Sequence, residues 1–228
     1  IFAFWGAILL GAIPSIFPVH NEKLEPETYW RQVKNLAVHS NAKAVITQSD
    51  LVHNYSKFFS DGDCKIVSIT DAWKWREGNS KEKLDKREVN PENVALLQHS
   101  SGTTGLQKGV ALSHLALLAQ IESYSTEIRL EPNEDVIVSW LPLYHDMGLI
   151  AGFILPILTG THLVLMSPFD WVRQPKMLLE AISQYQGTLT WLPNFAFNHI
   201  ARTIPKDLDL DLSTMRAFVN CSEPIYLQ

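Results

Sequence analysis

The sequence is poor in cysteine. Cys64 and Cys221 are its only cysteines among 228 residues, and they have neither the number of a disulfide framework nor the spacing of a metal-ligand motif. Two isolated cysteines are typical of a reducing compartment, so we expect a cytoplasmic location.

Positive charge is also scarce. The chain has 19 Lys and Arg residues against 24 Asp and Glu residues, which gives a net charge of -5. A nucleic-acid-binding protein needs a clustered basic surface to neutralise phosphates, so no nucleic-acid partner is expected.

The chain lacks an apolar run long enough to span a bilayer. Its apolar start, residues 1–17, is interrupted by Gly6, Gly11 and Pro14 and has no basic leader. A membrane span needs about 20 apolar residues, so we expect no integral membrane segment. We interpret this run as a buried helix followed by a buried strand, in a chain that begins within a domain.

Strand and helix patterns alternate along the rest of the chain. Helices are predicted around residues 27–38, 113–128, 147–158, 175–187 and 191–200, and strands at residues 44–46, 66–69, 94–97, 136–138, 162–166 and 189–192. The mostly charged stretch 76–92 is predicted as a solvated loop. This order predicts an α/β fold with layered sheets, much of them parallel, and flanking helices.

One loop, residues 100–109, has the composition of a phosphate-binding segment. It reads Ser-Ser-Gly-Thr-Thr-Gly-Leu-Gln-Lys-Gly. Its glycines allow backbone N–H groups to approach an anion, its hydroxyls can donate to phosphate oxygens, and Lys108 supplies a mobile positive charge. We call residues 100–109 the phosphate loop.

Two common phosphate-binding motifs do not fit this loop. A Walker A motif needs Gly before its Lys and Ser or Thr after it, where this chain has Gln107 and Gly109. The dinucleotide fingerprint needs a G-x-G that the loop lacks. An ordinary turn between a strand and a helix is the remaining alternative.

The phosphate loop resembles the signature of the adenylate-forming superfamily, which includes acyl-CoA synthetases, fatty acyl-AMP ligases, luciferases and nonribosomal adenylation domains. Gln107 stands where that signature usually has Pro. Three further segments resemble the family in the same order: residues 4–14, the histidine motif 141–149, and the adenine-pocket turn 220–224. The histidine motif, with residues 167–169 and 192–197, most resembles the fatty acyl-AMP ligases.

The resemblance implies that residues 1–228 are part of the large N-terminal AMP-binding domain, without its start and without the small C-terminal domain. It implies ATP and Mg²⁺ as cofactors and a fatty acid as substrate, activated to acyl-AMP with release of pyrophosphate. An acyl carrier protein or coenzyme A would then accept the acyl group. A catalytically inactive nucleotide-binding module is the alternative from another class.

The resemblance also assigns roles to residues. ATP would be bound by Ser100, Ser101, Gly102, Thr103, Thr104, Gly105 and Lys108 of the phosphate loop and by Ser222, Glu223 and Pro224 of the adenine turn. Thr104 would lie near Mg²⁺, and Thr104, Lys108 and His145 would be catalytic. His145 would lie beside the acyl carboxylate and the α-phosphate. Asn194, Phe195 and His199 would line the acyl tunnel, although core packing explains their helix equally well.

Overall fold

A computed structural model describes residues 1–20, 25–60, 62, 64–71, 89–99, 109–205 and 209–221. The chain divides into two compact units, Ile1–His114 and Leu115–Gln228. Within the described ranges, no helix is long and apolar enough to cross a membrane. Most of the predicted loop 76–92 lies outside these ranges.

The first unit begins with helix α1 (Phe2–Leu9). Only Phe4 of this helix is buried, while Phe2 and Leu9 are 79% and 71% exposed, so our prediction of a buried helix is wrong. The helix has apolar side chains on all of its faces. Some of them therefore lie on the face that no described residue covers. The strand predicted after it is wrong too. Residues 12–20 have no regular structure, although the Pro14 carbonyl accepts a hydrogen bond from the backbone N–H of Leu97 at 3.0 Å.

An aromatic core holds the next elements of the first unit together. The elements are α2 (Pro26–His39), β1 (Ala44–Thr47), α3 (Val52–Phe58) and β2 (Lys65–Ser68), with β1 and β2 parallel. Trp30 of α2 makes edge-to-face contacts with Tyr29 and with Tyr55 of α3, each with ring centroids 4.7 Å apart. All three rings are buried. Such pairs add to the gain from burial alone, so this cluster fixes α2 against α3.

The phosphate loop joins two antiparallel strands. β3 (Val94–His99) pairs with β4 (Gly109–Ser113), with His99 opposite Gly109. The sequence analysis predicts no strand at residues 109–113, which form β4. The helix predicted around residues 113–128 is present as α4 (His114–Glu127). Five residue pairs between β3 and β4 satisfy backbone groups in the ladder.

The second unit contains a parallel sheet of four strands: β5 (Val136–Ser139), β6 (His162–Leu165), β7 (Leu189–Pro193) and β8 (Ala217–Cys221). Their order in the sheet is β6-β5-β7-β8. The helices are α5 (Asp146–Leu149), α6 (Leu155–Thr159), α7 (Pro168–Arg173), α8 (Lys176–Tyr185) and α9 (Asn194–Thr203), with a π-helical turn at Ile150–Ile154. The predicted α/β fold with parallel sheets is confirmed. The predicted helix 191–200 begins later, because Trp191 to Pro193 belong to β7.

The core of the second unit lies around β7. All five residues of β7 are buried, as expected for a central parallel strand covered on both faces. Trp140, Trp171 and Trp191 are 4%, 0% and 1% exposed and belong to this core.

Gly187 follows α8, but it does not supply the left-handed residue that ends the helix. Gln186, with a φ of 56°, is the left-handed residue that ends α8. A Cβ atom on Gly187 would come within 2.7 Å of Val138 Cγ2. The glycine is therefore needed for close packing of the α8–β7 turn on β5.

A buried carboxylate ties the amino ends of three strands. Asp135 precedes β5 and is 2% exposed. It accepts hydrogen bonds from the backbone N–H of Glu131 at 2.8 Å and the Thr188 hydroxyl at 2.6 Å, and forms an ion pair with Arg216. Burial opposes ionisation of Asp135, but these hydrogen bonds and the Arg216 charge together hold the pKa of the carboxyl below its usual value. Thr188 precedes β7 and Arg216 precedes β8, so this network aligns the three strands.

Candidate functional site

The carboxyl edge of the second unit's sheet carries three of the predicted segments. The histidine motif follows β5, helix α9 follows β7, and the adenine turn follows β8 in sequence. Parallel strands end at a common edge, and ligands of open α/β sheets bind outside the carboxyl ends of the strands. The sheet order therefore brings the described parts of these segments, as far as Cys221, to one side of the unit.

His145 lies at the start of helix α5 with its imidazole exposed. Its backbone N–H donates to the Pro142 carbonyl at 3.1 Å, and its own carbonyl accepts from the Leu149 N–H at 2.8 Å. The ring lies 5.1 Å from that of Tyr144, centroid to centroid. No described residue forms a hydrogen bond with the imidazole. Among the described residues, no carbonyl therefore satisfies this histidine.

Gly148 sets the shape of the His145 turn. A Cβ atom at this position would overlap the Pro142 carbonyl oxygen and lie 2.9 Å from its carbon. The same oxygen accepts the His145 N–H, so only a glycine lets the helix approach this close. Asp146 is exposed and accepts from the Met147 N–H at 2.8 Å, in keeping with an orienting role for this carboxylate.

The π-helical turn at Ile150–Ile154 was not predicted from the sequence. Gly152 lies within it, and a Cβ atom there would come within 2.7 Å of Ser139 Oγ at the end of β5. Ser139 Oγ in turn accepts from the Leu141 N–H at 3.3 Å. π turns are rare in proteins as a whole but are frequent at functional sites. Here the turn packs the helix that follows His145 against the strand that precedes His145. Gly148 and Gly152 together are the sequence signal for this close approach.

Two of the three acyl-wall candidates lie over a stacked tryptophan pair. The Trp140 and Trp171 rings are parallel and in contact, and Phe195 contacts both edge to face at 6.1 and 6.3 Å between centroids. His199 lies 5.6 Å from Trp171, and its Nε2–H donates to the Val172 carbonyl at 3.2 Å. Phe195 is nevertheless 47% exposed.

Asn194 has a different partner from Phe195 and His199. Its Oδ1 accepts from Asn220 Nδ2 on β8 at 3.3 Å. Asn220 Oδ1 is buried and has no hydrogen-bond partner among the described residues. A buried unpaired acceptor costs about 1–3 kcal/mol, so this side chain is not explained by stability alone. Sequence reasoning places Asn220 in the adenine-turn segment but misses its contact with Asn194.

The predicted ATP-binding residues lie outside the described residues. They are Ser100, Ser101, Gly102, Thr103, Thr104, Gly105 and Lys108 of the phosphate loop and Ser222, Glu223 and Pro224 of the adenine turn. The residues that flank the phosphate loop are described. His99 Nδ1 hydrogen-bonds Ser15 Oγ at 2.8 Å, and burial lowers the pKa of the His99 imidazole. These flanks belong to the first unit, and His145 belongs to the second.

Metal ligands do not cluster in the described part of the chain, where no three His, Cys, Asp or Glu side chains come together. Mg²⁺ in nucleotide-dependent enzymes is held largely by substrate phosphates with one or two protein oxygens. A preformed metal cage is therefore not required.

Comparison with known proteins gives a consistent result. The sequence model for the family "AMP-binding enzyme" matches residues 1–228. A long-chain-fatty-acid–AMP ligase, FadD26 of Mycobacterium marinum, is 30% identical over 100% of this chain and 39% of its own length. JamA of Moorena producens, a medium-chain-fatty-acid–[acyl-carrier-protein] ligase, is 36% identical over 63% of this chain and 24% of its own length.

The same resemblance holds in three dimensions. The structure of a fatty acyl-adenylate ligase from L. pneumophila, in complex with acyl adenylate and pyrophosphate, superimposes with a TM-score of 0.78 at 28% identity. The match covers 98% of this chain and 38% of that protein. The chain thus spans about two fifths or less of the length of these relatives.

Proposed function

The chain belongs to the family of AMP-binding enzymes, and from this membership we propose that it is part of an enzyme that activates a fatty acid as acyl-AMP. A fatty-acid carboxylate oxygen attacks the α-phosphate of ATP, an acyl–phosphate bond forms, and pyrophosphate leaves. The observation that carries the proposal is the exposed His145 imidazole at the carboxyl edge of the sheet, with no described hydrogen-bond partner of its own.

His145 would act where two anions have to meet. A carboxylate and a triphosphate repel each other, so the reaction needs hydrogen-bond donors at both before it can proceed. A ring nitrogen of His145 can donate to the carboxylate or to the α-phosphate oxygen. The rigid turn around Gly148 would hold the ring in one place, which reduces the reorganisation needed during the reaction.

The phosphate loop would hold the rest of the nucleotide. Ser100, Ser101, Gly102, Thr103, Thr104 and Gly105 would donate to phosphate oxygens, with Thr104 near Mg²⁺. Lys108 would place a positive charge beside the negative charge that develops on the leaving pyrophosphate. Mg²⁺, when bound, neutralises phosphate charge. Ser222, Glu223 and Pro224 would contact the adenine, largely through their backbone.

A fatty acid suits the surroundings of α9 better than an amino acid does. The helix reads Asn-Phe-Ala-Phe-Asn-His-Ile-Ala-Arg-Thr and contains no carboxylate that could pair with a buried ammonium group. An alkyl chain gains about 0.8 kcal/mol for each buried methylene, and Phe195, which is 47% exposed, offers apolar surface for it. We expect pyrophosphate exchange to be stimulated by medium or long fatty acids. Stimulation by amino acids alone would contradict this substrate class.

The acyl acceptor is proposed to be the phosphopantetheine thiol of a carrier protein, in the cytoplasm. The name of the relative JamA specifies a carrier-protein acceptor, which supports this choice. Coenzyme A is the alternative, because both acceptors present the same thiol. The full-length enzyme with ATP, Mg²⁺ and a fatty acid should accumulate acyl-AMP until a holo carrier protein is added. Rapid acyl-CoA formation would instead identify an acyl-CoA synthetase.

ATP–pyrophosphate exchange in the full-length protein tests the proposed activity. Wild-type protein should exchange only when a fatty acid is present, and His145→Ala should lower the exchange rate by about a hundredfold. His162→Ala is the matched control, because His162 is an exposed histidine on β6 of the same unit. Binding of an ATP analogue without any exchange would favour the inactive nucleotide-binding module.

A further inference from the structure

Asn220 and Asn194 connect two segments that the proposed function assigns to different substrates. Asn194 is the first residue of α9, the helix that carries Phe195 and His199. Asn220 lies on β8, two residues before Ser222 of the adenine turn. Their amides meet through the hydrogen bond from Asn220 Nδ2 to Asn194 Oδ1 at 3.3 Å.

The strand register places the two asparagine residues close to each other. β7 and β8 are parallel, with Leu192 opposite Asn220 and Pro193 opposite Cys221. The start of α9 and the end of β8 are therefore neighbours at the carboxyl edge. A second contact between the same elements, from Cys221 Sγ to the Leu192 carbonyl at 3.7 Å, is a weak hydrogen bond. The amide pair is thus the stronger of these two side-chain hydrogen bonds.

Stability does not account for an amide at position 220. The Oδ1 atom of Asn220 is buried without a hydrogen-bond partner among the described residues, and an aliphatic side chain would avoid that penalty. What an aliphatic side chain cannot do is donate to Asn194. The amide is therefore explained by the link that it makes and not by the packing around it.

We propose that Asn220 is a positioning residue that couples the acyl-binding helix to the nucleotide-binding turn. By holding Asn194, it fixes the start of α9 relative to the segment that enters the adenine turn. Binding of one substrate then orders the element that binds the other, which is positive coupling between the two sites. The inference rests on the proposed function, because it assigns the two segments to the fatty acid and to ATP.

The test measures coupling directly in the full-length protein. Calorimetry gives the affinity for a non-hydrolysable ATP analogue with and without a saturating fatty acid. In wild-type protein we expect the fatty acid to tighten nucleotide binding by about tenfold, within the usual range of coupling. In Asn220→Ala and Asn220→Leu this factor should fall to about twofold or less. The leucine side chain has the same branched shape as asparagine and is not smaller, so a cavity cannot cause the loss.

A double-mutant cycle identifies the partner. If Asn220 acts through Asn194, then Asn194→Ala should lose the same coupling, and the double variant should lose no more than either single variant. Asn198→Ala is the matched control, because Asn198 is an exposed asparagine on the same helix. It should keep the full coupling. The melting temperature of Asn220→Leu should equal or exceed that of the wild type, since this variant removes the buried unpaired acceptor without opening a cavity.

Three results would overturn the inference. Full coupling in both Asn220 variants would remove the residue from this role, and equal loss in Asn198→Ala would show that any change in α9 has the effect. Additive losses in the double variant would show that Asn220 does not act through Asn194. Fatty-acid-dependent exchange of the wild type is measured in parallel. If the wild type shows no exchange, the proposed function itself is contradicted. If the wild type exchanges normally and the Asn220 variants keep the full coupling, only the role of Asn220 is contradicted.

Discussion

Trp140 and Trp171 stack face to face in the second unit, with ring centroids 3.7 Å apart and an angle of 7° between their planes. Trp140 directly follows β5, and Trp171 lies on α7, so the stack joins the carboxyl edge of the sheet to a helix 31 residues later in the chain. Phe195 and His199 of α9 contact this pair. The stack is therefore the support on which the acyl-wall candidates rest.

Loss of this support should destabilise the protein strongly. Trp171→Ala is expected to lower the free energy of unfolding by about 3–5 kcal/mol, because it removes a fully buried indole and leaves a cavity beneath α9. Denaturant unfolding followed by circular dichroism measures the change. Phe169→Ala on the same helix is the control, since Phe169 is 44% exposed and its truncation should cost far less. Equal losses in the two variants would contradict the supporting role of the stack.

A methyl group at position 148 should disturb the His145 turn. Gly148→Ala forces a Cβ atom against the backbone carbonyl of Pro142, which cannot rotate away, so we expect a loss of stability of about 1–3 kcal/mol. Fatty-acid-dependent exchange should fall together with stability, because the displaced carbonyl also holds the His145 N–H. Gly6→Ala is the control: nothing lies within 4 Å of a Cβ there, and alanine favours a helix. Normal exchange by a folded Gly148→Ala protein would separate this glycine from the site.

The Asp135–Arg216 ion pair should make stability depend on pH in the acidic range. The pKa of Asp135 is lowered in the folded state. As the pH falls, the Asp135 carboxylate therefore takes up a proton in the unfolded chain before it does so in the folded protein. The stabilisation is fully present above the usual aspartate pKa of about 4 and is lost as the pH falls through the lower folded value. The unfolding free energies of the wild type and Asp135→Asn should therefore approach each other as the pH falls below about 4.

At neutral pH, removal of this carboxylate should be costly. Asp135→Ala leaves Arg216, Thr188 and the Glu131 N–H without their acceptor, and we expect a loss of about 3 kcal/mol, the low end for a buried pair because Arg216 is partly exposed. Glu134→Gln is the control, as Glu134 is an exposed acid beside Asp135. A pH profile of Asp135→Asn parallel to that of the wild type would show that Asp135 does not carry the effect.

Lys108 should matter for activity and not for folding. Loss of a charge-assisted contact costs about 1.5–3 kcal/mol, so Lys108→Ala should slow ATP–pyrophosphate exchange by about ten- to a hundredfold. The melting temperature should stay unchanged. Lys57→Ala, which removes an exposed lysine from α3, should affect neither quantity. Unchanged exchange in folded Lys108→Ala would remove this lysine from the nucleotide site.

The sequence by itself determined the features that depend on neighbours along the chain. Apolar periodicity located α2, α8 and the strands β5, β6 and β7, because burial of one face or of a whole segment leaves a local record. The glycines, hydroxyls and lysine of residues 100–109 marked the phosphate loop, since a backbone that approaches an anion needs those residue types in one short stretch. His145 was found through its motif for the same reason.

The tertiary structure decided what depends on residues far apart in sequence. Gly109–Ser113 became a strand because β3 was available to pair with it. The contact between Asn194 and Asn220 spans 26 residues, and that between Asp135 and Arg216 spans 81. Neither pair has a local signature, because each forms only when parallel strands align their ends, and that alignment is a property of the folded sheet.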